Sequence, residues 1–184
     1  MNTGLIPVRY ATALLDFANV RKEQDRVYTE AKSVINSYFQ FAELRTVLDR
    51  PVLANAEKKK IILLAAGGKV SNSFERFLDL ILENNREKHL HEIILKFTDL
   101  YRKQQNIHYG KLTTASPVNA ITEKRLIALI ENKTGGTLEI EKVIDPEILG
   151  GFLFEVDFVR WDASISGQLR RIRKEYIEKN KKTV

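Results

Sequence analysis

A chain of 184 residues, 43% hydrophobic and 29% charged, has enough apolar material for a packed core and is not disordered except at its ends. Its 30 Lys and Arg against 24 Asp and Glu leave a net charge of +6, which is compatible with nucleic acid, an anionic membrane surface or an acidic protein and selects none of them. The absence of cysteine excludes disulfides, thiolate nucleophiles and Cys-ligated zinc, and no stretch approaches the ~18 apolar residues of a membrane span or reads as a signal peptide.

From Leu5 to about Gln105 the sequence predicts helix after helix. Ile6, Tyr10, Ala13, Leu14 and Phe17 recur at 3–4 spacing and form one apolar stripe, which Ala11, Leu15 and Ala18 widen. Pro7 falls in the first turn, where a missing N–H costs little. A second helix is expected over Gln24–Phe41, with Val27, Ala31, Val34, Ile35 and Tyr38 inward. Pro51 breaks the chain, and Asn55 offers a cap for the helix that follows. Gly67-Gly68 ends that helix, and Ser71 or Asn72 starts the next. In that fifth helix Phe74, Phe77, Leu78, Leu80, Ile81 and Leu82 cover most of the circumference, which implies a central position or a second face for a partner. The sixth helix carries a cleaner stripe of Leu90, Ile93, Ile94, Phe97, Leu100 and Tyr101.

The character changes near Asn106–Tyr109. "IHYGKLTTASPV" reads as a strand ended by Pro117, and a short helix capped by Thr122 and stopped by Gly135-Gly136 follows. "TLEIEKVI" and "GFLFEVDFV" read as two strands, the second with Phe152, Phe154, Val156 and Phe158 on one face. The last helix starts at about Ala163, with Ile165, Leu169, Ile172 and Tyr176 on one face and a tail, "EKNKKTV", expected to fray. The fold class is mainly α: a helical bundle over residues 1–105, then a smaller α+β domain over residues 106–184.

Residues with catalytic potential do not assemble into a pattern. Gly67-Gly68-Lys69 lacks the phosphate-loop spacing and suits a helix end. Gly150-Gly151 precedes a strand, whereas a phosphate loop follows one. His89 and His91 are two apart on a helix, cannot share a metal, and are read with His108 as solvent-facing. Ser164 beside Asp162 could belong to a hydrolase, or either residue could cap the last helix. The basic run "LRRIRKEYIEKNKK" could touch nucleic acid or an acidic partner, but it lacks the motifs of common nucleic-acid modules. No cofactor or metal site is expected.

Three stretches resemble the delta subunit of bacterial F-type ATP synthase, whose mitochondrial counterpart is the oligomycin-sensitivity-conferring protein. "VRYATALLDFA" looks like the family's opening helix, and "FLDLILENNREKHLHEIILKF" resembles its Glu-Asn-x-Arg region with the amphipathic helix after it. "IDPEILGGFLFEVDFVRWDASISGQL" matches the most specific segment, with Asp145, Gly150, Gly151, Asp162, Ser164, Gly167 and Leu169 in register. Asp157-Phe158 stands where the family usually has Gly-Asp. The resemblance implies a non-catalytic stator subunit at the cytoplasmic face of the bacterial membrane. Its six-helix N-terminal bundle would receive the N-terminal helix of an alpha subunit, and its C-terminal domain would engage the b-subunit stalk. A groove for the alpha-subunit helix is expected between the first and fifth helices, from Tyr10, Ala13, Leu14 and Phe17 on one wall and Phe77, Leu80 and Ile81 on the other.

Overall fold

The computed structural model describes residues 4–117, 119, 124–125, 127–128, 137–156 and 159–181. They belong to two compact units, Met1–Gln104 and Gln105–Val184.

The first unit is built from α1 (Leu5–Arg21), α2 (Gln24–Gln40), α3 (Glu43–Leu48), α4 (Asn55–Ala65), α5 (Asn72–Glu83) and α6 (Leu90–Gln104). A 3-10 turn, Glu87–His89, precedes α6. The stripe on α6 is the centre of the core: Leu90, Ile93, Ile94 and Phe97 are wholly buried, and α1 and α2 both pack against this helix. Tyr28 of α2 stacks on Tyr101 of α6 with ring centroids 4.2 Å apart. The tyrosine hydroxyls are used as well. Tyr101 Oη donates to Asp25 Oδ1 at 2.8 Å, and Arg102 Nε donates to Tyr28 Oη at 2.8 Å.

Sequence periodicity locates the helices better than their inner faces. On α1 the buried residues are Pro7, Ala11, Leu14, Leu15 and Ala18. Ile6, Tyr10 and Phe17 are only half-buried and Ala13 is exposed, so, Leu14 apart, the expected stripe is one flank of the helix, and Leu14 with the "widening" residues is its true core. Small Ala11 and Ala18 at the centre of that face let α1 approach its neighbours closely. Asn55 does not cap α4. The N-cap is Ala54, and Asn55 Nδ2 donates instead to the Leu82 carbonyl at 3.2 Å, tying α4 to the end of α5.

The start of α5 is held by two carboxylates, Glu30 of α2 and Glu23 at its N-cap. Ser71 is the N-cap, its Oγ accepting from Phe74 N. Ser71 N donates to Glu30 Oε1 at 2.5 Å and Ser71 Oγ to Glu30 Oε2 at 2.6 Å. Ser73 N donates to Glu23 Oε2 at 2.9 Å, and Ser73 Oγ donates to the same oxygen. Negative charge at a helix N-terminus is favourable for both its free N–H groups and its dipole. Glu30 is buried, and Arg26 Nε lies 3.1 Å from its Oε1. A buried ion pair, Lys58–Glu87 at 2.7 Å, joins α4 to the 3-10 turn. Burial alone would raise the Glu87 carboxyl, but the Lys58 ammonium, a backbone N–H and the Lys88 charge together leave it below its ordinary value.

The second unit contains β1 (Ile107–Thr114), β2 (Thr137–Ile144), β3 (Phe152–Val156), β4 (Val159–Asp162) and α7 (Ile165–Lys181), with a 3-10 turn at Pro146–Ile148. The sheet order is β2-β1-β3-β4. β1 pairs parallel with β2 and antiparallel with β3. A parallel pair needs a crossover, and residues 124, 125, 127 and 128 within that connection are helical. The expected cap at Thr122 and stop at Gly135-Gly136 lie outside the described residues. Leu112, Leu138, Phe154 and Val156 form the core, with Ile127, Ile140 and Phe152 packed against it. The single strand expected over "GFLFEVDFV" is in fact two. β3 ends at Val156 and β4 returns antiparallel, so that Trp161 faces Phe154 across the pair with rings 5.7 Å apart. Phe158 and the Asp157-Phe158 turn lie outside the described residues.

The clamp on α5 gives a stability prediction. Glu30→Ala leaves two buried donors on Ser71 without their acceptor and is expected to cost about 1–3 kcal/mol in urea unfolding. The Glu23 carboxyl is held below its ordinary value by hydrogen bonds from the Ser73 side chain and backbone, assisted by Arg21 and Arg26 against a small desolvation penalty. A depressed carboxyl stabilises the fold above its unfolded value of about 4.5 and loses that contribution as pH falls through its folded value. Glu23→Gln is therefore expected to flatten the acid limb of a stability–pH curve, read by thermal melts between about pH 3 and 6.

Candidate interaction surfaces

In the first unit α1 packs against α5. Of the seven residues expected to line a groove there, Leu14, Phe77 and Ile81 are buried, with exposures of 2%, 5% and 0%. Tyr10 and Phe17 are half-buried, and Ala13 and Leu80 are exposed. Three of the seven are therefore core, and the other four are at least partly accessible at the surface. Tyr10, Ala13 and Phe17 share one flank of α1 by their 3- and 4-residue spacing. Phe17 carries the Arg21 guanidinium over its ring at 4.8 Å, so that end of the flank is both aromatic and cationic. On α5, the edge bearing Glu75 and Asp79 is engaged by Lys59 of α4 at 3.1 and 2.7 Å. Those hydrogen bonds, the one to Asp79 first, hold the Lys59 ammonium above its ordinary value. Leu80 lies across the helix from that edge. The abundance of apolar residues on α5 thus resolves into five buried side chains and one 44% exposed leucine.

The histidines are not all in water as expected. His91 packs on Tyr38 with ring centroids 4.7 Å apart, and burial, with nearby Arg45, lowers its proton affinity. Burial pushes the Tyr38 hydroxyl up to about 12. Both are packing residues. His89 lies in the 3-10 turn, 3.5 Å from Glu92, and His108 is half-buried on β1. Among the described residues no group of His, Asp and Glu could hold a metal ion.

In the second unit, Asp145, Gly150, Gly151, Asp162, Ser164 and Gly167 build the joint that launches α7. Asp145 Oδ1 accepts from Glu147 N at 2.9 Å and starts the 3-10 turn. Gly151 has φ +72, and a Cβ there would lie 2.2 Å from the Ala163 carbonyl oxygen. Only glycine combines that backbone with that approach. Gly150 accepts Ile165 N at 3.1 Å, and Phe152 accepts Ala163 N at 3.0 Å. Asp162 Oδ1 accepts from Ser164 N and Ser164 Oγ, while Ser164 Oγ accepts from Gly167 N at 3.0 Å. Both residues offered as caps are used in series: Ser164 caps the helix and Asp162 holds Ser164. The Asp162 carboxyl is held below its ordinary value by the Ser164 hydroxyl and N–H, with Arg160 and Arg170 adding to them. A Cβ on Gly167 would meet both Asp162 oxygens at 2.6 Å. A catalytic serine needs a base, and Ser164 is wholly buried with its oxygen committed to this cap.

Beyond its first turn α7 is exposed. Leu169, the last residue of the motif, is 53% exposed and takes no part in the joint. Ile165, Ile172, Tyr176 and Ile177 are exposed as well. The helix continues to Lys181, further than the expected fraying of its tail implied.

Comparison with known proteins agrees with these features. Residues 6–176 match the family described as the ATP synthase delta (OSCP) subunit. The chain is 45% identical to ATP synthase subunit delta of Phocaeicola vulgatus and 40% identical to that of Bacteroides thetaiotaomicron, each match covering all of both chains. It is similar in fold to a chain of the mitochondrial ATP synthase hexamer of Toxoplasma gondii, with a TM-score of 0.70 at 19% identity over 93% of this chain and 97% of that one.

The joint can be tested by two substitutions. Gly151→Ala forces strain or displacement of the Ala163 carbonyl and is expected to cost at least about 1–3 kcal/mol. Ser164→Ala removes the cap and is expected to cost roughly 1 kcal/mol. Chemical denaturation of the full chain measures both, and a Gly151→Ala protein as stable as the parent would refute the close approach.

Proposed function

The chain belongs to the ATP synthase delta (OSCP) subunit family, and from that premise we propose that it is a non-catalytic stator component linking the catalytic head to the peripheral stalk. In this reading the first unit receives the N-terminal helix of an alpha subunit, and the second engages the b-subunit stalk. The link opposes rotor torque, so that ion flow drives ATP synthesis in place of idle turning of the head. Attachment to the cytoplasmic face of the membrane would come through the complex, because no helix among the described residues is long and apolar enough to cross a bilayer.

The observation that carries the reading is the α1 flank. Tyr10, Ala13 and Phe17 offer two aromatic anchors separated by one small exposed residue, on a helix whose adjacent face is already spent on the core. Helix-in-groove recognition requires that combination: large side chains for energy and a small one for close approach of the backbones. Leu80 extends the apolar surface onto α5.

Ala13→Asp places a charge in the centre of the flank without touching a buried side chain. It is expected to weaken binding of an alpha-subunit N-terminal peptide by at least about tenfold, the effect of burying one unpaired carboxylate. Titration calorimetry on the full chain, with circular dichroism to verify the fold, measures this. Undiminished affinity in a folded variant would put the groove elsewhere. Co-purification of alpha and b subunits with the tagged chain tests the stator role itself, and their reproducible absence would refute it.

A further inference from the structure

Tyr38, near the end of α2, and His91, in the first turn of α6, meet with ring centroids 4.7 Å apart and planes tilted by 55°. The contact joins the two surfaces on which α3 rests, because α3 packs against α2 and against the 3-10 turn that leads into α6. α3 itself is weakly held. It has six residues, no side-chain cap at its start and one buried residue, Leu48. A helix of that length does not stand alone in water, so its place depends on the surface beneath it. Phe41, the C-cap of α2, precedes α3 and Pro51 follows it, which gives the segment a boundary on each side for opening locally.

The surroundings of His91 oppose a proton there. From α3, the Arg45 guanidinium bears on the imidazole and, with Asp49 at the C-cap of α3, on Tyr38. From α2 the facing group is the Tyr38 phenol, which burial keeps neutral. From the 3-10 turn, Glu87 is engaged by Lys58 at 2.7 Å, and Lys88 is exposed. Glu92, on α6 itself, favours the proton but also lies 3.5 Å from His89. Burial first and Arg45 second outweigh Glu92. Protonation therefore puts a cation into a partly desolvated contact, near a second cation.

We propose that the Tyr38–His91 contact is a proton-operated latch on α3: the neutral imidazole holds α3 against α2 and the 3-10 turn, and the imidazolium releases it. A histidine held below its ordinary value of 6.5 in the closed form takes its proton more readily in the open one. Closure of α3 is therefore strongest above about pH 6.5, weakens as pH falls from there towards the folded value of His91, and weakens no further below it. The latch does not depend on the stator reading, since every group in it belongs to the first unit.

Amide hydrogen exchange of the full chain, corrected for the intrinsic pH dependence of exchange, tests the latch between about pH 7.5 and 5, a range above ordinary carboxylate titration. The amides of α3 are expected to lose protection across that range, while those of Ile93, Ile94 and Phe97 in α6 keep theirs. His91→Phe leaves an aromatic ring against Tyr38 that cannot take a proton, and is expected to abolish the loss. NMR of the imidazole follows the proton directly, and a midpoint below the ordinary 6.5 is expected in the parent. Protection of α3 that does not change over the range overturns the proposal, and so does a loss that persists in folded His91→Phe. A His91 midpoint at or above 6.5 overturns it as well, and that measurement on the parent stands even where the variant fails to fold.

Discussion

Two carboxylates, Glu30 of α2 and Glu23 at its N-cap, fix where α5 begins, and the first unit is arranged around that contact. Glu30 accepts both the N–H and the hydroxyl of Ser71, and Glu23 does the same for Ser73. Four donors at one helix start are thereby satisfied from a neighbouring helix. The contact is directional, which hydrophobic burial is not. Apolar packing of Phe74, Phe77, Leu78, Ile81 and Leu82 would tolerate small axial shifts of α5. The clamp does not, and so it sets which turn of α5 stands beside which turn of its neighbours, including the position of Leu80. The Asn55 contact with the Leu82 carbonyl holds the far end of the same helix, and the Lys58–Glu87 pair holds the 3-10 turn after it.

The second unit uses a different device for a similar purpose. A backbone approach at Gly151 and a cap chain from Asp162 through Ser164 to Gly167 aim α7 from the sheet. Three glycines serve three needs there: a left-handed turn at Gly151, room for the Ile165 side chain at Gly150, and room for the Asp162 carboxylate at Gly167. The segment that could be mistaken for a catalytic corner is a mechanical joint. In the proposed stator role, load arriving on α7 would pass into the body of the domain through these groups.

Much of this was legible in the residue pattern, for reasons that differ between elements. α6 carries one apolar stripe and polar residues elsewhere, so its buried face could be read directly. α1 is apolar on two adjacent flanks, and periodicity cannot say which of them meets the bundle. The flank with the larger residues looked like the core, yet the bundle accepted the one with Ala11 and Ala18, because small side chains allow close helix packing. The break between β3 and β4 escaped because the apolar alternation of Phe152, Phe154 and Val156 runs on in the sequence to Phe158, and the return of the chain shows only in the pairing of Trp161 with Phe154. The clamp was not legible at all. Glu23 and Ser73 are 50 residues apart, and Glu30 and Ser71 are 41.

By itself the sequence determined the mainly α fold class, the helix stop at Gly67-Gly68, the cap positions at Ser71 or Asn72 and at Asp162 or Ser164, and the family fingerprint around Gly150-Gly151. Each of these depends on neighbours a few residues away, through dihedral preference, hydrogen-bond reach or short-range periodicity. Only the tertiary structure decided which flank of α1 is buried, which partner Asn55 serves, how α5 is clamped and that the stripe of α7 faces outward. Those outcomes depend on what long-range folding brings alongside each helix, and an apolar stripe looks the same in sequence whether a neighbour covers it or leaves it open to another chain.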